Sequence, residues 1–245
     1  MAAPQIEVHD ALDSTNAEAR RRAESGEAGP LWIMALTQTA GRGRRGRAWE
    51  TAHGNLAATL LFTTVLPPAE AAQVSFVAAL AAADLADHYV GVGTAALKWP
   101  NDLMIDGRKA AGILVESGTR GDGALWLAVG MGVNLAHAPI NLERPAIAFS
   151  NRLATPPPQP LEALGVLAES FEKWRNLWSE SGFAPIARAW SARAYGLGQA
   201  CEARLPNQTH RGIAEGLDDD GALRLRLADG AVLRITAGDV FFGGG

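Results

Sequence analysis

Apolar residues recur along this chain in two rhythms, and the change from one to the other marks its elements. LWIMALTQT (31–39) is a short apolar run with branched and aromatic members, which predicts a strand. GNLAATLLFTTVLPP (54–68) predicts a second strand, opened by Gly54-Asn55 and stopped by Pro67-Pro68. Between 69 and 90, Val74, Val77, Leu80, Ala81 and Leu85 fall at helical spacing and predict a long core helix. Upstream, LDSTNAEARRRAESGEAGP predicts a helix, with Thr15 and Glu18 as a capping box and Gly26 to Pro30 as its stop.

Three more strands are expected in a tight meander. They are ALKW, LMID-GRKAAGILVES turning at Asp106-Gly107, and GALWLAVGMGVN turning at Gly121-Asp122-Gly123. Hairpins after an isolated helix argue for an α+β fold rather than a doubly wound sheet. ATPPPQP (154–160) breaks the chain before two helices, around 161–181 and 184–194. From Gly198 the texture shifts to short strands with Asp-Gly turns, CEARLP, RGIAEGL, ALRLRLA and AVLRIT, which predict a small barrel. The expected division is 1–195 and 196–245.

Composition narrows the picture. A length of 245 residues with 48% hydrophobic content is enough for a large domain and an appendage. A formal net charge of −4 supplies no global attraction for nucleic acid or acidic membrane. The single cysteine, Cys201, excludes an intramolecular disulfide and a cysteine zinc cluster. The start MAAPQIEVHD lacks the basic and apolar regions of a signal peptide, and no uninterrupted apolar run approaches the ~20 residues that span a bilayer. The expectation is a cytoplasmic protein.

Against that acidic background, AGRGRRGRAW (40–49) packs four arginines and three glycines into residues 41–47. The letters spell G-x-G-x-x-G, but a helix should then open on the loop and an acidic residue should follow about 20 positions on. A strand follows instead, and G-x-x-x-x-G-K-[ST] is absent. Guanidinium groups on a glycine-rich loop suit closure over carboxylate or phosphate. In LKWPNDLMIDGRKAAGILVES (97–117), Lys98, Asn101, Asp102 and Lys109 surround an apolar strand, with Lys109 at its entry beside Ala110, Ala111 and Gly112. The five histidines have no ligand spacing, so no transition-metal site is assigned.

In this order, DSTN, QTAGRGRRGRAW, GNL, KWPNDL, RKAAGILVE and GVN resemble the biotin protein ligases, over roughly residues 8–190. The resemblance implies a class II-synthetase-like catalytic domain with a mixed, mostly antiparallel sheet and flanking helices, followed by an SH3-like β-barrel. With DSTN at residue 13, it also implies a ligase-only protein without an N-terminal DNA-binding domain. The implied reaction uses ATP and biotin to make biotinyl-5′-AMP, and then biotinylates one lysine of a biotin carboxyl carrier domain. Mg²⁺ is expected with ATP, without identified ligands. No DNA or membrane partner is implied, and a homodimer is compatible with the resemblance.

Carried over by motif, Ser14, Thr15, Asn16 and Gln38 would bind the ureido end of biotin. Gly41, Arg42, Gly43 and Arg44 would wrap its carboxylate and the phosphate. Gly112 and Leu114 would line the ring pocket. Lys109 would sit between carboxylate and α-phosphate, and with Arg44 would be catalytic. Asn101, Asp102 and Asn134 would lie on the nucleotide side with Arg42 and Arg44, and Trp49 would brace the loop. Two alternatives stand beside this reading: a lipoate or octanoate ligase of the same superfamily, and a nucleic-acid-binding module using Arg42 to Arg47.

Overall fold

The computed structural model describes residues 5–140 and 145–243. The first unit is a seven-stranded sheet built from β1 (Gln5–Leu12), β2 (Leu31–Gln38), β3 (Leu56–Thr64), β4 (Ala95–Lys98), β5 (Asp102–Ile105), β6 (Arg108–Thr119) and β7 (Leu125–Val133). Its order is β1-β2-β3-β7-β6-β5-β4. Among the described residues the β1–β2 ladder of this sheet is parallel and its other ladders are antiparallel. The expected mixed, mostly antiparallel α+β fold is present.

Helices cover both faces, which explains why β2 and β3 read as unbroken apolar runs. Alternate residues of β2 go to opposite sides. Leu31 and Ile33 pack with Ala19 and Ala23 of α1 (Thr15–Glu24). Trp32 and Met34 join the main core under α3 (Val74–Tyr89) and α4 (Pro160–Ser181), where Trp32 meets Phe171 edge to face at 5.9 Å. The predicted 69–90 helix is split into the one-turn α2 (Pro68–Ala71) and α3. Together they are long and apolar enough, by length and composition, to cross a bilayer. In this fold they are the core helix, with Val74, Val77, Leu80 and Leu85 fully buried. α5 (Phe183–Ala192) packs against α3 and α4.

Two expectations fail locally. β1 was not anticipated, because its apolar Ile6 and Val8 face outward, 37% and 47% exposed, so the strand carries no buried stripe to read. Glu7 turns inward instead and pairs with Arg22 of α1 at 2.8 Å. The capping box does not form either. α1 starts after Ser14 with no side-chain cap, and Glu18 binds Arg21 and Arg22. The Thr15 hydroxyl is used by Gln38 and Thr59. The Asp106-Gly107 turn is as expected, with φ of 52° and 70° at its two residues, the positive pair a two-residue hairpin needs.

The C-terminal unit is a five-stranded antiparallel sheet of β8 (Ala200–Arg204), β9 (Thr209–Leu217), β10 (Leu223–Arg226), β11 (Val232–Ile235) and β12 (Asp239–Phe242). Its order is β11-β10-β9-β8-β12, and among the described residues no ladder joins β11 to β12 to close the anticipated barrel. β12 is a fifth strand beyond the four read from sequence. This sheet docks on the first unit through Gly221, whose carbonyl accepts the Trp99 indole N–H at 3.1 Å.

Gly221 has φ of 91°, and a Cβ there would come within 2.6 Å of Phe76. Gly221→Ala should therefore destabilise the protein by about 1–3 kcal/mol, from left-handed backbone strain plus overpacking. A urea midpoint indistinguishable from wild type would show that the docking surface yields freely.

Candidate active site

The parallel β1–β2 ladder makes the first half of the site. It sets Leu12 beside Gln38, and it continues past both strands: Thr39 N–H donates to Leu12 O at 2.9 Å and Ala40 N–H to Asp13 O at 2.8 Å. The DSTN corner is thereby zipped to the start of the arginine loop. Asp13 is gripped by both Arg21 terminal nitrogens at 2.8 and 2.9 Å, which holds its carboxyl well below the usual range.

Ser14, Thr15 and Asn16 form a buried polar floor, each at most 4% exposed. Gln38 Oε1 accepts the Thr15 N–H at 2.8 Å, and Gln38 Nε2 donates to Thr51 at 2.9 Å. Thr59 Oγ1 lies within hydrogen-bonding distance of Thr15 Oγ1 (2.8 Å) and Asn16 Oδ1 (2.7 Å). Asn16 Nδ2 donates to Leu114 O at 3.2 Å and to Glu116 at 2.8 Å. Both Asn16 donors are thus taken, so toward a ligand it can only accept, while Gln38 keeps one amide hydrogen to donate.

Glycines on β6 and β7 make the space. A Cβ on Gly112 would stand 3.1 Å from Lys109 and from Trp49; one on Gly130 would overlap Asn16, and one on Gly132 would overlap the Trp49 ring. The result is a cavity of about 280 Å³.

The other end of the cavity is cationic. Lys109 Nζ pairs with the buried Asp102 at 2.6 Å and sits 5.5 Å from the Trp49 ring centre. Asn101 donates to Ile113 O at 2.7 Å and accepts from Arg44 at 3.2 Å. The loop folds back on itself through a bridge between Arg42 and Ala48 and a Gly43 N–H to Arg47 O bond of 2.7 Å, with Arg45 in the left-handed region at φ 56°. Burial opposes the charge of Arg44, and Asp239 offsets part of that. Arg44 also donates to the Gly238 carbonyl at 3.2 Å, while Arg45 and Arg47 both pair with Asp239.

Of the residues expected at the site, Ser14, Thr15, Asn16, Gln38, Arg42, Gly43 and Arg44 line the cavity. So do Trp49, Asn101, Asp102, Lys109, Gly112, Leu114 and Asn134. Gly41 does not: its carbonyl accepts the Trp49 N–H at 2.9 Å, and a Cβ there would strike the Trp49 backbone. The sequence reading missed Thr59, Glu116, Gly130 and Gly132, and it missed Asp239 and Val240 from the C-terminal sheet. The paired glycines of GMG were a legible signal; nothing local distinguished Asp239. Among the described residues, no three His, Cys, Asp or Glu side chains gather to hold a metal ion.

Residues 9–134 match the model of the biotin/lipoate A/B protein ligase family, and residues 196–243 that of the biotin protein ligase C terminal domain. A biotin–[acetyl-CoA-carboxylase] ligase of Paracoccus denitrificans is 45% identical across 95% of this chain and 98% of its own. The chain belongs to this family. The bifunctional ligase/repressor BirA of Bacillus subtilis is 31% identical over 96% of this chain and 73% of its own length. In fold, a biotin protein ligase from Aquifex aeolicus, solved with biotin and ATP, superposes with a TM-score of 0.82 at 22% identity, covering 98% of this chain and 99% of its own. The family membership gives the two ends of the cavity their context: a neutral hydrogen-bonding floor, and a cationic mouth under an arginine loop.

Trp49 is the packing piece between them. Gly132→Ala should expel its ring and shift its fluorescence, and the same substitution in a Trp49→Phe background should change nothing further. Equal spectral shifts in both backgrounds would mean that Trp49 does not rest on Gly132.

Proposed function

We propose that this chain attaches biotin to a lysine of a biotin carboxyl carrier domain of acetyl-CoA carboxylase, in the cytoplasm, through a biotinyl-5′-AMP intermediate. Residues 1–195 form the catalytic unit and 196–245 the C-terminal unit. The observation that carries the reading is the polarity of one cavity: unspent neutral donors and acceptors lie at one end, and Lys109 with the loop arginines at the other. A urea has two N–H donors and one carbonyl acceptor. The floor answers with Asn16 Oδ1 as acceptor and with Gln38 Nε2 and the Ser14 hydroxyl as donors. Gly112 and Leu114 flank the fused ring, and its valeryl chain runs toward Lys109.

In the first step a biotin carboxylate oxygen attacks the α-phosphorus of ATP, and pyrophosphate leaves. A weak nucleophile meets a polyanion, so catalysis lies mainly in positioning and charge neutralisation. Lys109, held by Asp102, stands between carboxylate and α-phosphate. Arg42 and Arg44 take the growing negative charge, while Asn101 fixes Arg44. In the second step the carrier lysine amine attacks the acyl carbon, and AMP departs with the bridging oxygen. Magnesium would come with ATP and screen its phosphates. Asp102 and Asn134 are the oxygen donors at that end that would hold it, the buried Asn134 Oδ1 having no partner among the described residues. Gly41 supports the loop rather than a ligand.

The lipoate or octanoate alternative meets a physical objection. A dithiolane or alkyl end would leave the buried Ser14, Asn16 and Gln38 groups unpaired, a cost that rejects analogues lacking the matching polar atoms. The nucleic-acid alternative would need arginines spread over an open surface, yet Arg42, Arg44 and Arg47 line the cavity and Arg45 is turned to Asp239 beside it.

Lys109→Ala should slow biotin-dependent pyrophosphate exchange by about 10²–10³-fold, the usual consequence of removing one preorganised charge. Near wild-type exchange would remove Lys109 from the reaction centre, and labelling of the carrier by lipoate but not biotin would overturn the function itself.

Arg44→Gly should still form the adenylate but release it early, because the loop loses its ties to Asn101 and Gly238. A streptavidin blot of carrier mixed with an unrelated protein should then show bystander labelling that wild type does not give. Strict carrier labelling with adenylation intact would mean that Arg44 does not retain the intermediate.

A further inference from the structure

Glu116 stands on β6 two residues beyond Leu114 and does not line the cavity. Its carboxylate nevertheless touches two parts of the site. It accepts 2.8 Å from Asn16 Nδ2, and it lies 3.4 Å from an Arg42 guanidinium nitrogen. Asn16 is 4% exposed; its Oδ1 is held by Thr59, and its Nδ2 also donates to the Leu114 carbonyl. Arg42 is the first arginine of the loop and forms its stem with Ala48.

A neutral oxygen would satisfy Asn16 equally well. A negative charge beside a site for anionic substrates is unfavourable unless something uses it, and Arg42 is the group that does. The hydrogen-bond chain then runs from Arg42 through Glu116, Asn16, Thr59 and Thr15, passes through the Thr15 backbone N–H to Gln38, and ends at Thr51, just past the loop's other end. The floor and both stems of the loop are one network.

We propose that Glu116 is a positioning residue that fixes the Asn16 amide and anchors the arginine loop, so that floor and loop adopt their working postures together. The identity of the ligand rests on the biotin-ligase reading; the geometry does not. The first role follows from the amide's inventory. With Nδ2 spent on Glu116 and Leu114 O, Asn16 presents an acceptor to a urea N–H. Without Glu116 the amide keeps only Thr59 and the longer bond to the Leu114 carbonyl, so the turned-over form, which presents a donor that a urea N–H cannot use, gains population. The second role follows from charge: Arg42 loses its counter-ion, and the stem it forms loosens.

Glu116→Gln and Glu116→Ala separate the two roles. The Gln side chain keeps an oxygen for Asn16 but removes the charge. In Glu116→Gln, biotin affinity measured by calorimetry should stay within about threefold of wild type, since the hydrogen bond survives. In the same ligand-free variant, trypsin cleavage after Arg42, Arg44, Arg45 and Arg47, mapped by mass spectrometry, should accelerate about 1.5- to 5-fold, as expected when a partly exposed ion pair is lost and cleavage follows the open population. Glu116→Ala should show the faster cleavage and, in addition, about tenfold weaker biotin binding. Thermal midpoints for both variants separate these local effects from unfolding, and Glu116→Gln carries the test if the Ala variant does not fold. Wild-type cleavage rates in Glu116→Gln would overturn the anchoring role; equal biotin affinity in the Gln and Ala variants, both below wild type, would overturn the amide role. A wild-type protein that binds no biotin overturns the ligase reading instead, while the ligand-free cleavage comparison still decides the anchor.

Discussion

Four guanidinium groups within seven residues repel one another, and the shape of this site follows from how that repulsion is met. Each arginine of the loop finds an acceptor elsewhere in the fold. Arg42 takes Glu116 on β6, Arg44 takes Asn101 and the Gly238 carbonyl, and Arg45 and Arg47 share Asp239 on β12. The loop therefore needs the first sheet and the C-terminal sheet at once. Pairs this exposed are individually weak, on the order of 1 kcal/mol or less, so substrate anions can compete for the same guanidinium groups. A loop that is held and yet exchangeable suits a reaction that must enclose a reactive anhydride and later admit a lysine.

The neutral end of the site obeys a different constraint. Its groups are buried, and buried polar atoms need partners. Ser14 to Asn16 reach the cavity because β1 runs parallel to β2 and hands the chain to α1 at the level of Gln38. The two elements on either side of that crossover meet across Thr59, a fully buried hydroxyl on β3. Space then comes from what is missing: Gly112, Gly130 and Gly132 leave a trough on β6 and β7 that Trp49 and Asn16 half fill. Side chains at these positions would close it.

The C-terminal sheet is tied to the first unit by contacts of different character. Gly221 packs against Phe76 and Phe183, the Trp99 indole donates to the Gly221 carbonyl, and Asp239 holds the arginine loop. The KWPN turn and the loop are thereby braced from one surface. The second sheet belongs to the site as much as to the fold.

Much of this was legible in residue order. The LWIMALTQT run, the 3.6-residue spacing of Val74 to Leu85 and the Asp106-Gly107 turn each encode their element locally, because burial on one or both faces leaves a periodic trace. The motif residues were legible for a similar reason: a catalytic site needs particular side chains at fixed offsets, whatever surrounds them. Other features left no local trace. β1 exposes its apolar residues and turns a half-buried glutamate toward α1, so its pairing was decided by the partner strand and by Arg22. Thr15 and Glu18 had the letters of a capping box, yet Gln38, Thr59 and two arginines, brought close only by folding, took those groups first. Asp239 and Glu116 are ordinary carboxylates until the sheets place them against the loop. Sequence determined which chemistry this chain could hold; the tertiary structure decided which charges meet, because a hydrogen bond or ion pair between residues 42 and 116, or 47 and 239, exists only once the strands between them have paired.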